Sequence, residues 1–343
     1  MKRMTVLGGT GFLGSRTTTA LQALAGVEVR TASRHGQLEV DVTRPETFSR
    51  LDGTEVLIDL SNATAHAPDE LIGWCLEKGI TVLEGTSDSA CIERLHRRFT
   101  GTSGTLVLGG GIFTGMSNLL ARDVSRRVPE LRAVTLGIAS TPFCGAGAGT
   151  IDLVLAVLGV KVPRYSAHQR VEDPAMSEGP VLEFAQARRP TGRMPLAETF
   201  MLHESTGAGE VEVVFAAKPA ALLSAFRLVP VSFFQSGLGR AVVRGYFTLL
   251  RRVLLRSRPG PVELLATARG GASTVSRQLD APDGMWAGAW ALAALAEAAM
   301  GSGEHGVRFV DDVAELESIV ARANVLAQTD VLQLRPVRRS DVG

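Results

Sequence analysis

Val6-Leu7-Gly8-Gly9-Thr10-Gly11-Phe12-Leu13-Gly14 places glycines in the spacing G-x-G-x-x-G directly behind the short apolar run Thr5-Val6-Leu7. Beyond it Leu13, Ala20, Leu21 and Leu24 suit a helix that ends at Gly26. Strand, glycine turn and helix in this order are the context in which the spacing has a mechanism. The glycines permit a tight turn and a close approach of backbone to a pyrophosphate, and the helix N-terminus offers free N–H groups and partial positive charge. Gly8, Gly9, Thr10, Gly11, Phe12, Leu13 and Gly14 are therefore expected to hold the pyrophosphate of a dinucleotide. A glycine turn that merely packs helix on sheet is the alternative.

Outward from that loop the pattern alternates. Apolar runs predict strands over 27–32, 38–42, 55–60, 80–83 and 105–108, with helices over 69–78 and 89–99. Such alternation implies an α/β fold, a Rossmann-type parallel sheet covered on both faces, which binds ligands at the carboxyl ends of its strands. The loops of interest are 8–14, 33–36, 61–66, 85–89 and 109–118. An acid after the second strand bonds a ribose 2′-hydroxyl, whereas an arginine accommodates a 2′-phosphate. This chain has Ala32-Ser33-Arg34 and no acid before Glu39. Ser33 and Arg34 are thus candidate ligands of a 2′-phosphate, and NADP is the expected cofactor, with NAD as the alternative. Asp41 either bonds the adenine edge or forms a turn before Thr43 and Pro45. Ser61, Asn62 and Ala63, after the fourth strand, complete the cofactor candidates.

The bulk properties agree with a soluble enzyme. At 343 residues, 45% hydrophobic and 21% charged, the chain is long enough for about two domains. A net charge of +1 gives no global field toward nucleic acid or lipid. Cys75, Cys91 and Cys144 show no CxxC spacing, so neither a metal site nor a disulfide framework is indicated, and a reducing compartment is expected. No signal-peptide pattern precedes the glycines, which points to the cytoplasm.

Two common chemistries can be weighed from residue counts. Many glycine-loop dehydrogenases use Tyr-x-x-x-Lys, but Tyr165 is followed at the fourth place by Gln169 and Tyr246 by Leu250. Cys144, in Pro142-Phe143-Cys144-Gly145-Ala146-Gly147, is a candidate thiol nucleophile of a semialdehyde dehydrogenase, or a small buried residue.

Three stretches together carry a family resemblance: the glycine loop, Leu71-Ile72-Gly73-Trp74-Cys75-Leu76-Glu77-Lys78-Gly79, and Thr81-Val82-Leu83-Glu84-Gly85-Thr86-Ser87-Asp88. They resemble the saccharopine dehydrogenase-like (saccharopine reductase-like) proteins, with Glu84, Thr86 and Asp88 at the places of that family's Asp-Leu-Thr-Gly-Glu-like loop. Gly111 to Leu120 resembles the loop after its last Rossmann strand, and Gly145 to Gly149 its Ser-Gly-Gly-Thr element. The likeness covers about the first 155 residues well and the rest in order of elements. The family's Gly-Pro-Phe-like turn is replaced here by Asn62-Ala63-Thr64-Ala65-His66. The resemblance implies NAD(P)-linked hydride transfer to or from an imine, and some members act on C=C bonds. His66 is then a candidate general acid or a solvated loop residue, and Asp88 a catalytic group or a helix cap. Thr86 is the third catalytic candidate. A regulator that keeps the nucleotide loop without chemistry is the other reading.

Domains are expected at 1–128, the NAD(P)-binding unit, and 129–285, an α+β substrate and dimerisation domain with strands over 133–139, 210–216 and 262–268. Helices of 286–343 are expected to pack back on the first domain: 286–300, then 310–326, followed by a loose tail from 335. Between Glu212 and Glu263 there is no acid, but there are Lys218 and seven arginines: Arg227, Arg240, Arg244, Arg251, Arg252, Arg256 and Arg258. At 100° per residue, Val242, Val243, Tyr246, Phe247, Leu249, Leu250, Val253 and Leu254 share one side, and Arg240, Arg244, Arg251, Arg252 and Arg258 the other. This basic amphipathic helix over 238–258 reads as a domain helix with a solvated face, a substrate lid, a homodimer contact or a membrane-adsorbing segment. The expected partners are a small, greasy substrate and a second copy of the chain, with no nucleic acid.

Overall fold

The computed structural model describes residues 1–61, 68–141, 160–218, 233, 236–250, 253, 259–271, 273–301, 303 and 305–341. In chain order, the first elements are β1 (Lys2–Leu7), α1 (Phe12–Leu21), β2 (Val27–Ser33), β3 (Leu38–Glu39), β4 (Val56–Asp59), α2 (Asp69–Glu77), β5 (Thr81–Glu84), α3 (Ser89–Phe99), β6 (Thr105–Leu108) and α4 (Ser117–Arg126). Then follow β7 (Leu131–Ser140), β8 (Lys161–Ser166), β9 (Gln169–Pro174), β10 (Leu182–Glu183), β11 (Arg188–Arg189), β12 (Gly192–Arg193), α5 (Glu198–Thr206), β13 (Glu210–Ala217), α6 (Gly237–Leu250), β14 (Val262–Gly270) and β15 (Ser273–Ala281). The chain closes with α7 (Gly284–Gly301), β16 (Gly306–Phe309), α8 (Val310–Val313), α9 (Leu316–Ala327), β17 (Gln333–Leu334) and β18 (Arg338–Asp341).

The first unit comprises Met1–Leu119 and Met285–Val331. Its seven strands run in the order β16-β6-β5-β4-β1-β2-β3, every neighbouring pair parallel. Parallel strands need crossover helices, and those helices bury both sheet faces. All four residues of β4 and all four of β6 are accordingly buried. The switch point lies between β1 and β4, where the order reverses, and a ligand crevice is expected there at the carboxyl ends. The expected parallel sheet is thus present, with β16 added after β6. Within this unit α7 lies against the loop that follows β6. A Cβ on Gly110 would come 2.7 Å from Cδ2 of Leu292.

The second unit comprises Leu120–Gly284 and Leu332–Gly343. Its mixed sheet runs β17-β15-β14-β7-β13-β8-β9, with β12 on β13 and β18 on β15. Only the β13–β7 pair is parallel among the pairings described; the others are antiparallel. The face carrying Ala139, Ala216 and Leu265 is covered by Phe184 and Leu182 from the β10–β11 hairpin. Gly137 makes room for that cover, since a Cβ there would meet Leu182 Cδ1 at 2.2 Å.

Two expectations change. The single helix over 310–326 is broken into α8 and α9, because Ala314 is extended (φ −145°, ψ 153°). The segment from 335 is not a loose tail: Arg338–Asp341 pairs antiparallel with β15, and Arg335 donates to Asp280 at 2.6 Å.

Candidate functional site

The glycine loop turns between β1 and α1 under close constraint. Gly8 has φ +75°, and a Cβ on it would meet the Leu60 carbonyl oxygen at 2.7 Å. A Cβ on Gly14 would stand 2.1 Å from the Gly8 oxygen, a backbone atom that cannot swing aside. The Gly11 N–H closes the turn on the Gly8 carbonyl at 2.8 Å. Gly11 caps α1 with no side-chain hydrogen bond, and the first turn carries no acid. Thr10 and Gly11 are exposed, while Phe12 and Leu13 are half-buried. The loop therefore presents an uncapped helix N-terminus beside exposed backbone, a cradle that fits a pyrophosphate.

Around it stand the other cofactor candidates. Ser33 ends β2 half-buried, and its Oγ accepts from the His35 N–H at 3.4 Å. Arg34 is exposed. Asp41 makes the turn: its Oδ1 accepts from Thr43 N at 3.0 Å and from Thr43 Oγ1 at 2.8 Å. Those bonds, the backbone one first, hold its carboxyl below its ordinary value. Ser61 donates through N–H and Oγ to Asp59 Oδ1, at 2.8 and 2.6 Å. Asn62, Ala63 and His66 lie outside the described residues, as does Cys144.

The carboxyl ends of β4 and β5 hold a feature the strand patterns did not reveal. Asp59 and Glu84 are register partners on adjacent strands, buried to 2% and 4% exposure. Burial pushes Glu84 well above the usual carboxylate range, and the Asp59 charge pushes it further. Asp59 is raised by burial too, opposed by its bonds from Ser61. Two buried carboxyls on neighbouring strand positions disfavour each other's ionisation, and this together with burial favours the protonated form of Glu84. Glu84 Oε1 accepts the Thr86 N–H at 2.9 Å. The signal was present in the sequence as an acid closing each of two neighbouring apolar runs. Its meaning required the register.

Thr86 is buried, accepts the Asp88 N–H on Oγ1 at 3.2 Å, and its carbonyl accepts the Thr114 hydroxyl at 3.3 Å. Asp88 caps α3, its Oδ1 accepting the Cys91 N–H at 2.7 Å. Thr114 holds φ 54° in the loop after β6, where Gly109 and Gly111 are at 102° and 88°. Backbone strain of this kind gathers at functional loops. On the first turn of α4, Asn118 is fully buried and neither atom of its amide meets a protein partner. Sequence reading passed over Asn118 because nothing local distinguishes it from a surface amide. Cys75 and Cys91 are free and buried, and burial pushes both thiols up to about 12, so neither is a thiolate nucleophile. Among the described residues no cluster of His, Cys, Asp or Glu could hold a metal ion.

No protein-family model matches the chain, and no curated protein matches it. Solved structures do. The chain is similar to a C. glutamicum DAP dehydrogenase in complex with DAP, at 14% identity over 94% of this chain and 98% of that one, with a TM-score of 0.48. It is also similar to a dipicolinate-bound dihydrodipicolinate reductase from Paenisporosarcina sp. TG-14, at 11% identity over 92% and 100%, TM-score 0.42. A third is the WlbA dehydrogenase of Thermus thermophilus in complex with NAD and UDP-GlcNAcA, at 14% identity over 95% of each chain, TM-score 0.39. Likeness at these levels transfers no substrate or activity. The resemblance to saccharopine reductases rests on the quoted residues alone.

Proposed function

We propose that this chain is an NAD(P)-dependent oxidoreductase, with NADP preferred, that moves a hydride to or from an imine, carbonyl or enoyl group of a small or lipid-like molecule. The observation that carries the reading is the glycine cradle: three positions where any Cβ would strike backbone or β2, in front of an uncapped helix at the switch point of a parallel sheet. The bound nicotinamide supplies the hydride chemistry. Gly8 to Gly14 bind the pyrophosphate, and Ser33 and Arg34 take the 2′-phosphate. Ser61, just beyond β4, together with Asn62 and Ala63, which follow it in the sequence, is proposed to contact the cofactor. Asp41, already committed to its turn, has one carboxylate oxygen left to meet the adenine edge. Thr86 and Asp88, on the loop beyond β5, and His66, assigned from the sequence alone, are the groups proposed to orient the substrate and pass the proton. The saccharopine-like assignment, a homodimer and a cytoplasmic setting belong to the same reading.

Turnover tests it: NADPH oxidation, followed by absorbance, with a panel of imines, ketones and enoyl compounds. Activity with any of them is expected, and none throughout would favour a binding-only regulator. For the cofactor, Arg34→Ala should weaken NADPH roughly tenfold to a hundredfold and leave NADH unchanged, the loss of one charge-assisted contact. Equal losses for both would remove the 2′-phosphate role.

A further inference from the structure

The segment Gly237–Leu250 forms the expected helix α6, but its apolar residues do not all turn inward. Phe247 is buried at 3% exposure, and Val243 is half-buried. Leu238, Val242, Tyr246 and Leu249, followed by Val253, are all exposed, from 53% at Val242 to 75% at Leu238. At 100° per residue Leu238, Val242, Tyr246 and Leu249 of α6 fall within an arc of about 80°. They form one continuous stripe of aliphatic side chains with a tyrosine at its edge. Arg240 and Arg244 are exposed on the other side of the same helix. Lone exposed leucines need no explanation, but an aligned stripe of four on one helix marks an interaction surface.

We infer that α6 lies against the surface of a bilayer rich in anionic phospholipid, its stripe entering the headgroup and acyl boundary and its arginines meeting lipid phosphates. Charge selects this occupant. No acid stands between Glu212 and Glu263, whereas Arg251, Arg252, Arg256 and Arg258 follow Arg240 and Arg244 in the sequence. A helix in the interface sinks about 5–10 Å, which puts its polar side level with the phosphates. The apolar side is one stripe rather than a full circumference, and among the described residues no helix is long and apolar enough to cross a membrane. Tyrosine suits the interface, with an apolar ring and a polar tip. The segment thus lies on the bilayer.

The test is flotation of the full chain with vesicles of phosphatidylcholine mixed with phosphatidylglycerol, and with phosphatidylcholine alone, at about 0.1 M salt. Binding to the mixed vesicles is expected to be at least roughly tenfold stronger, and to weaken as salt rises. Two independent variants check the two chemistries: Leu238→Asp with Leu249→Asp, and Arg240→Glu with Arg244→Glu. Each should lower binding roughly tenfold or more while leaving NADPH binding unchanged, since all four positions are exposed. No binding, equal binding to both vesicle types, or wild-type binding by either pair of substitutions would overturn the inference. So would a sedimentation-velocity dimer that Leu238→Asp with Leu249→Asp converts to monomer, for then the stripe belongs to a second copy. None of these readings depends on whether the chain turns over a substrate.

Discussion

Helices α1 and α6 both contain glycine, and at Gly14 and Gly245 they use it in opposite ways. In α1 the glycine at 14 is a fitted part: the space a Cβ would need is filled by the Gly8 carbonyl. In α6 the glycine at 245 faces open space, with no atom within 4 Å of a Cβ built there. The first helix is defined by what it packs against, and the second by what it leaves uncovered. A glycine that looks alike in the sequence is a close-packing device in one and a helix-weakening residue in the other.

The sharpest way to break that contrast is Gly14→Ala. The added methyl meets backbone on the loop that would hold a pyrophosphate. A loss of about 3 kcal/mol in urea unfolding is expected, the upper end for overpacking, together with loss of NADPH binding by fluorescence titration. A neutral outcome would mean that loop and helix can part without consequence, and the cradle argument would fall.

A second probe concerns the carboxyl pair beside the loop. Glu84 holds its proton far above the pH at which it loses it in the unfolded chain. Between those two values the folded state binds one proton more than the unfolded state, so stability falls as pH rises, by about 1.4 kcal/mol per pH unit. Below the unfolded value the two states are equally protonated and the dependence vanishes. Glu84→Gln keeps the side chain's shape and its acceptor for Thr86 but removes the titration. Measured by urea unfolding from pH 5 to 8, the variant should gain on the wild type steadily as pH increases. Parallel curves would mean that Glu84 is ionised in the fold.

The smallest expected effect lies on α6. Gly245→Ala should stabilise by about 0.5–1 kcal/mol in thermal unfolding, because alanine restricts the unfolded chain and nothing in the fold obstructs it. Destabilisation would show that this side of the helix is covered after all.

These contrasts explain what could be read from the sequence. The first sheet was legible because each strand and helix carries its own periodicity and punctuation, from Thr5 to Leu108, and the turn at Gly8 to Gly14 states its geometry locally. Asp88 could be foreseen as a helix cap, since the capping acid sits just before its helix. The Asp59–Glu84 pair could not, because it exists only once β4 and β5 are in register. Nor could the direction of the α6 stripe. A 100° projection groups Val242, Tyr246 and Phe247 on one side but does not say which of them the protein body covers. Ala314 fell inside an apolar rhythm that continues through it, and Arg338–Asp341 lacks the alternation that marks a strand, because its partner β15 supplies the pairing.

The strand Gly306–Phe309 has a consequence for biosynthesis. It completes the first sheet beside Thr105–Leu108, yet the ribosome makes nearly all of the second unit between the two. Throughout that interval the buried apolar strand Thr105–Leu108 has an open edge, available to any other unpaired chain. Slow translation or a premature stop before residue 306 therefore exposes the nascent protein to misassembly at one defined place. Expression of fragments ending there should yield aggregates, whatever the stability of the finished fold.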